Sequence, residues 1–217
     1  MIRGASGWRG CALLLLALLV SPGRAGAEAG EAPAGAVLDR MEMALADVHT
    51  VRTRFVQEQT LALFKNTLIS RGSILVEPPA KLLWRVESPI RYVLAIDGKQ
   101  AKQWDGETGK TQTISLDDNP VFSAVAEQLS AWFGGHYGLL ARDYDIARRS
   151  EAPPVFEFGP KPESPAAKML KSVTVSFRED ERYIASIRIE DRGGDVTVLT
   201  FEETEINVPL EPGEWNP

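Results

Sequence analysis

Residues 67–104, TLISRGSILVEPPAKLLWRVESPIRYVLAIDGKQAKQW, hold the pattern that decides the fold. Turn residues divide this stretch into four β-favouring runs, at 67–76, 81–87, 90–96 and 100–104. Asp97-Gly98 between the last two runs is typical of a tight hairpin, because both central residues of a type I′ turn need a positive φ. The stretch therefore predicts a meander of antiparallel strands.

The second run, at 81–87, places apolar side chains on both faces of its strand. Leu82, Trp84 and Val86 share one face, and Leu83 points to the other, because side chains alternate along a strand. We therefore expect this strand to be covered on both faces.

Further strands are predicted on either side of the meander. The runs are 51–63, 111–116, 142–149, 155–159, 171–177, 183–190 and 196–203. Lys65-Asn66, Asp105-Gly106 and Gly193-Gly194 are assigned to hairpin turns. With so many short strands, the predicted fold class is mainly β (α+β).

Two amphipathic helices are predicted as well. In the first, at 36–49, apolar residues recur at helical spacing: Val37, Leu38, Met41, Leu45 and Val48. The second is expected to begin at Pro120 after Asn119 as N-cap, and to end at Phe133 before Gly134-Gly135. Its apolar face consists of Val121, Phe122, Val125, Leu129, Trp132 and Phe133.

The first 27 residues are typical of a cleaved secretory signal peptide. Arg3 and Arg9 precede an apolar run at 11–20, and Ala25-Gly26-Ala27 provides the small residues of a cleavage site. Residues 28–35 are predicted to be a flexible leader, and 36–217 a single domain in the periplasm. Cys11, the one cysteine, would leave with the signal peptide, so disulfides and thiolate chemistry are not expected.

The charge of the chain is acidic. Its 24 basic residues stand against 30 acidic ones, a net charge of −6 that falls to about −9 without Arg3, Arg9 and Arg24. This excess of negative charge disfavours nucleic acid as a partner. It places no restriction on an apolar ligand.

The sequence offers little for catalysis or metal binding. His49 and His136 are its only histidines and form no metal-binding spacing. Asp117-Asp118 is explained by a favourable interaction with a helix N-terminus. Only Ser123 or Ser130 with His136 leaves a lipid hydrolase open. We expect no enzyme, no cofactor and no metal.

The order of these motifs resembles the outer-membrane lipoprotein carrier (LolA) family. The matching residues span 36–208: Phe55-x-Gln57, Gly72-x-Ile74-x-Val76 followed by Pro79 and Trp84, then Pro89, Asp97-Gly98, Trp104 and Asn119-Pro120-x-Phe122. The resemblance implies an incompletely closed antiparallel β-barrel with a helical lid over an apolar cavity. It also implies cargo whose acyl chains are held in that cavity.

The resemblance assigns roles to individual residues. The cavity would be lined by Leu45, Trp84, Phe122, Val125 and, on the same lid helix, Leu129. Leu82 matches a position that contacts the inner-membrane release machinery. Pro78 stands where lipoprotein carriers have an arginine that sets the lid, and it has no side-chain donor. Arg71, Arg85 and Arg91 are possible substitutes, and the difference favours a LolA-like relative over the lipoprotein carrier itself.

Two classes of function follow. The first is a monomeric periplasmic carrier that moves a lipoprotein or another lipidic cargo, such as a glycolipid or polyene lipid, from an inner-membrane donor to an outer-membrane acceptor. The second is an envelope module that uses the same curved sheet to bind or regulate a protein. Co-purifying lipid would distinguish the first from the second.

Overall fold

A computed structural model describes residues 34–63, 66–78 and 81–215 of the chain. The predicted signal peptide, 1–27, lies outside the described residues, as do all but the last two residues of the predicted leader. Lys65 of the predicted Lys65-Asn66 turn also lies outside them.

The described chain is mainly β. Its helices are α1 (Ala34–Ala44), α2 (Pro120–Phe133) and the short α3 (Tyr137–Leu140), with 3₁₀ turns at Pro165–Lys168 and Pro212–Trp215. The strands are β1 (Val51–Thr60), β2 (Thr67–Glu77), β3 (Lys81–Ser88), β4 (Tyr92–Asp97), β5 (Gln100–Asp105), β6 (Thr111–Ser115), β7 (Tyr144–Glu151), β8 (Pro154–Pro160), β9 (Leu170–Phe177), β10 (Ile184–Asp191) and β11 (Val196–Ile206).

The strands form one 11-stranded antiparallel sheet in the order β6-β5-β4-β3-β2-β1-β11-β10-β9-β8-β7. The first and last strands of the chain pair at the centre, where Phe55 of β1 lies opposite Phe201 of β11. Strands β6 and β7 end the sheet and leave it open. The incompletely closed antiparallel barrel implied by the resemblance is confirmed.

The inner face of the sheet carries the main hydrophobic core. Side chains from the strands and from all three helices join in one cluster, with Trp84 near its middle. The Trp84 ring lies 5.0 Å from the ring of Phe55 and 5.7 Å from that of Phe133, and Phe133 lies 5.7 Å from Phe201. The helices therefore close over an interior filled with aromatic side chains.

A second, smaller cluster lies on the outer face of the sheet. Leu75, Leu83 and Val93 are buried there beneath Leu210 and Trp215. The expectation that β3 is covered on both faces is therefore confirmed. The outer cover is the segment after β11, which the sequence pattern does not predict.

The structure gives a reason for the glycine in the Gly72-x-Ile74-x-Val76 motif. A Cβ atom at this position would lie 1.9 Å from the carbonyl oxygen of Arg85 and 2.9 Å from the ring of Phe55. The pairing of β2 with β3 also shifts by one residue between Arg71 and Gly72. The close approach of two strands at this bulge leaves room only for glycine.

The helix boundaries agree with the sequence in part. Helix α2 begins at Pro120 and ends at Phe133, as predicted, although Asn119 makes no side-chain capping bond. Helix α1 ends at Ala44, five residues earlier than predicted, and Leu45 and Val48 bury their side chains from the turns that follow.

One predicted turn is wrong. Asp105-Gly106 does not form a two-residue hairpin, because the connection from β5 to β6 runs to Thr111 and takes its positive φ at Gly109. The Asp105 carboxylate instead accepts hydrogen bonds from the backbone N–H groups of Glu107 and Thr108. An Asp-Gly pair also suits such a side-chain-stabilised loop.

Candidate functional site

A cleft of about 330 Å³ opens between α2 and one end of the sheet. We call it the rim cleft; its lining residues are Val76, Pro78, Lys81, Leu82, Ile96, Gly98, Leu116, Asp117, Ser123, Ala126, Glu127, Ser130 and Gly134. The floor is apolar and comes from adjacent strands, with Val76, Leu82 and Ile96 pointing inward from β2, β3 and β4.

The α2 side of the cleft is made of small residues. Ser123, Ala126 and Ser130 recur at helical spacing, and Gly134 follows the helix end. Leu129, Trp132 and Phe133 on the same helix are buried in the main core. Helix α2 is therefore anchored by large side chains and turns small ones to the cleft.

Charged groups stand at the mouth of the cleft. Lys81, Asp117 and Glu127 belong to its lining. The Lys99 Nζ atom lies 3.8 Å from a carboxylate oxygen of Asp117, and the Arg142 guanidinium lies 3.9 Å from that of Glu127. These pairs are exposed and weak, so the mouth combines an apolar floor with a hydrated edge.

The residues assigned from the resemblance lie at different depths. Leu82 is part of the cleft floor. Trp84, Leu45 and Leu129 are buried in the main core and do not line the cleft. Leu45 packs beside Gly135, where its side chain would lie 2.6 Å from an added Cβ, so it joins the end of α1 to the turn after α2.

The side chains of Phe122 and Val125 lie outside the described residues. Pro78, at the position of the lid-setting arginine, lines the cleft. None of the three possible substitutes reaches it: Arg85 donates to the Glu214 carbonyl on the outer face, Arg91 stacks on Trp104, and Arg71 is exposed.

Sequence reasoning missed the small residues of α2 as cleft-lining groups. Ser123 and Ser130 attracted notice only as possible nucleophiles, and Ala126 attracted none. Their spacing, three and four residues apart on one helix face, is the signal that could have identified them. The large apolar residues beside them on the helix gave a stronger pattern, which indicated the core.

Three tyrosines are buried in the interior. Burial raises the pKa values of Tyr137, Tyr144 and Tyr183 well above the ordinary value for tyrosine. The Tyr183 hydroxyl donates to the carbonyl oxygen of Phe133 at 3.1 Å. The Tyr137 hydroxyl is buried without a hydrogen-bond partner among the described residues. Both lie in the filled core and not in the cleft.

His136, the histidine considered above for a lipid hydrolase, lies beside an acidic side chain of α1. His136 Nδ1 lies 3.6 Å from a carboxylate oxygen of Glu42, which comes from α1. Across the described part of the chain, no three His, Cys, Asp or Glu residues are grouped so that they could hold a metal ion. Within the same residues, no helix is long and apolar enough to cross a membrane.

Known proteins share this architecture. The curated outer-membrane lipoprotein carrier protein of Pseudoalteromonas translucida (strain TAC 125) is 20% identical over 171 residues, which cover 77% of this chain and 76% of that protein. An uncharacterized conserved protein from Thermus thermophilus superposes with a TM-score of 0.52 at 11% identity, over 84% of this chain and 91% of that one.

The complex of MucA and MucB from Pseudomonas aeruginosa superposes with a TM-score of 0.51 at 13% identity, over 85% of this chain and 60% of the matched one. At these identities the two structural matches show a shared fold. The family model described as outer membrane lipoprotein carrier protein LolA matches residues 46–216. Since that match covers most of the chain and all eleven strands of the open sheet, this protein belongs to the LolA family.

Proposed function

We propose that this protein is a non-enzymatic periplasmic carrier that shelters the acyl part of a lipoprotein or of another lipidic cargo between the inner and outer membranes. The rim cleft is the observation that carries the proposal, because it places an apolar floor under a helix face of small residues. Membership of the LolA family and the curated carrier relative support it.

The energy of exposing an acyl chain gives a reason for such a cleft. Each CH₂ group moved into water costs about 0.8 kcal/mol, so a sixteen-carbon chain needs on the order of 12 kcal/mol of shelter. At about 330 Å³ the cleft has the size of a small ligand site. We expect it to receive one chain, and a larger load to require that α2 separate from the sheet.

Most of the cargo contacts assigned from the resemblance would form only in a cargo-bound conformation, with the acyl chain deeper in the protein than the rim cleft. In this structure Trp84, Leu45 and Leu129 are all buried in the main core. An acyl chain would therefore reach them only after α2 moves. With Phe122 and Val125 they remain predicted cargo contacts. Leu82 remains the predicted contact with an inner-membrane donor, which would reach it through the mouth of the cleft.

Blocking the cleft tests the proposal. Ala126→Trp places an indole between α2 and the floor, and we expect it to weaken binding of a fluorescent fatty acid at least tenfold. Leu139→Trp, on the exposed surface of α3, is the matched control and should bind as the wild type does. Mass spectrometry of organic extracts from the gently purified wild type should find a stoichiometric amphiphile.

Circular dichroism of both variants would establish that they fold. Unchanged fatty-acid affinity in folded Ala126→Trp would mean that the rim cleft is not the binding site. Repeated lipid-free preparations of a wild type that also fails to bind the fatty acid would contradict the carrier function altogether.

A protein-binding module is the second candidate function. The filled interior favours it, because Trp84, Phe133 and Phe201 leave little free volume at the centre of the sheet. The fold likeness to the MucA/MucB complex points the same way. Chemical cross-linking in the periplasm that recovers one stoichiometric protein, together with no lipid in the extracts, would choose this function over the first.

A further inference from the structure

A second, larger cavity lies on the outer face of the sheet, at the same end as the rim cleft. This outer groove has a volume of about 720 Å³ and shares Lys81 and Ile96 with the lining of the cleft. The two cavities are therefore neighbours across the end of the sheet.

Residues at the ends of β2 and β4 form the ridge between the cavities. Glu77, the last residue of β2, lines the outer groove, and the next residue, Pro78, lines the rim cleft. After β4, Gly98 lines the cleft and Lys99 lines the groove. A single ligand could lie across this ridge with one part in each cavity.

The groove differs from the cleft in its charge. Lys81, Lys99 and Lys102 line it, three of the eight lysines of a chain whose net charge is −6. Glu77 and Asp97 share the lining, and Lys81 is 3.3 Å from the Glu77 carboxylate. Lys102 has no carboxylate within ion-pair distance among the described residues. Lys99 makes only the long, exposed 3.8 Å pair with Asp117, which competes weakly, so Lys99 as well as Lys102 can contact an incoming anion.

An aromatic wall bounds the same groove. Trp215 packs on the outer hydrophobic cluster, and Lys81 Nζ lies 5.6 Å from the centre of its ring. A wall that is apolar beside a charged floor suits the region of an amphiphile where the chain meets the headgroup.

We propose that the outer groove binds the anionic headgroup of the amphiphile whose acyl chain occupies the rim cleft. Lys99 and Lys102 contact the negative charge, and the chain passes over the ridge between Pro78 and Gly98. This assignment rests on the proposed carrier function and adds to it the charge of the cargo.

Two lipids with the same chain and different headgroups test the assignment. Palmitoyl lysophosphatidylglycerol is anionic and palmitoyl lysophosphatidylcholine is zwitterionic, and calorimetry below their critical micelle concentrations measures both affinities. We expect the wild type to bind the anionic lipid about fivefold more tightly at low salt, as two exposed charge contacts provide. The preference should weaken as salt rises.

Lysine variants place the effect in the groove. Lys99→Ala/Lys102→Ala should lose the preference and keep the affinity for the zwitterionic lipid. Lys110→Ala/Lys168→Ala removes the same charge from exposed sites outside the groove and should keep the preference.

Equal affinity of the wild type for both lipids would overturn the headgroup assignment and leave the carrier function standing. A preference that survives Lys99→Ala/Lys102→Ala would equally overturn it. If neither lipid binds, the carrier function fails together with the assignment.

Discussion

Gly72 shows how a single residue fixes the sheet. It stands in β2 at the bulge where the pairing with β3 shifts, and a Cβ atom would meet the Arg85 carbonyl oxygen at 1.9 Å. That neighbour is backbone within a strand pair and cannot rotate away as a side chain would. The glycine of the Gly72-x-Ile74-x-Val76 motif is therefore a packing requirement.

Gly72→Ala tests this requirement. We expect it to lower the free energy of unfolding by about 3 kcal/mol, because the extra methyl forces β2 away from β3. Urea denaturation followed by circular dichroism measures the change. Gly35→Ala, where an added Cβ meets nothing within 4 Å, is the control and should leave stability equal or slightly raised. Equal stability of Gly72→Ala and wild type would mean that the two strands separate at little cost.

The site residues were only partly accessible from the sequence. The resemblance led to Leu82, which lies on the cleft floor, and drew attention to Pro78, which lines it. Ala126 was missed because a small residue beside large apolar ones on a helix carries no signal of its own. Whether a side chain faces a cleft or a packed core depends on what lies across from it, which a single sequence does not contain.

At the scale of elements, the segment 207–215 covers the outer hydrophobic cluster of the sheet. We call this segment the C-terminal strap. Asn207 turns the chain at a φ of 60°, accepts a hydrogen bond from the His49 backbone N–H and donates one to the Asp47 carbonyl. Arg52 then binds the Glu214 carboxylate at 2.7 Å. The strap lays Trp215 over the outer cluster and beside the outer groove.

Trp215→Ala should loosen the strap. We expect the free energy of unfolding to fall by about 2 kcal/mol, less than for a fully buried tryptophan, because the indole is only partly buried. Thermal and urea unfolding measure the loss. Met169→Ala, whose side chain is 49% exposed, removes apolar surface elsewhere and should cost less than about 0.5 kcal/mol. A similar small loss in Trp215→Ala would show that the outer cluster does not need the strap.

The elements themselves were largely predictable. All eleven strands fall on runs recognised from β-propensity and turn residues, since both signals are local. The four-residue helix α3 and the strap were missed, because neither is long enough to show a period and both depend on distant partners. For the same reason α1 was predicted too long: Leu45 and Val48 keep helical spacing while their backbone has left the helix.

At the scale of the whole molecule, the inner face of the sheet and the helices bury three tyrosines. Tyr137, Tyr144 and Tyr183 are almost completely buried, and their pKa values are raised chiefly by that burial. Negative charge nearby adds to the effect, from Glu42 at Tyr137 and from Asp143 at Tyr144. The fourth tyrosine, Tyr92, lies nearer the surface, and burial raises its pKa to about 12.

These shifts predict a loss of stability in alkali. In the unfolded chain the tyrosines lose their protons near pH 10, whereas in the folded chain they keep them to higher pH. Above pH 10 the folded state therefore binds more protons than the unfolded state. These groups do not affect stability below pH 10. Stability falls as the pH rises from 10 toward the folded pKa values. With Tyr92 there are four such groups, and together they give a slope that approaches about 5 kcal/mol per pH unit.

Urea unfolding curves recorded between pH 8 and pH 11 measure that slope. A substitution at Tyr183 shows how much of the slope comes from this tyrosine. Tyr183→Phe removes one titrating hydroxyl together with its bond to the Phe133 carbonyl, so the variant should lose about 1 kcal/mol at pH 8. Above pH 10 its stability should fall about one quarter less steeply than that of the wild type. Deprotonation of lysines acts on both proteins alike and cancels from the difference. Parallel curves for the two proteins would mean that water reaches the Tyr183 hydroxyl in the folded state and that burial does not raise its pKa.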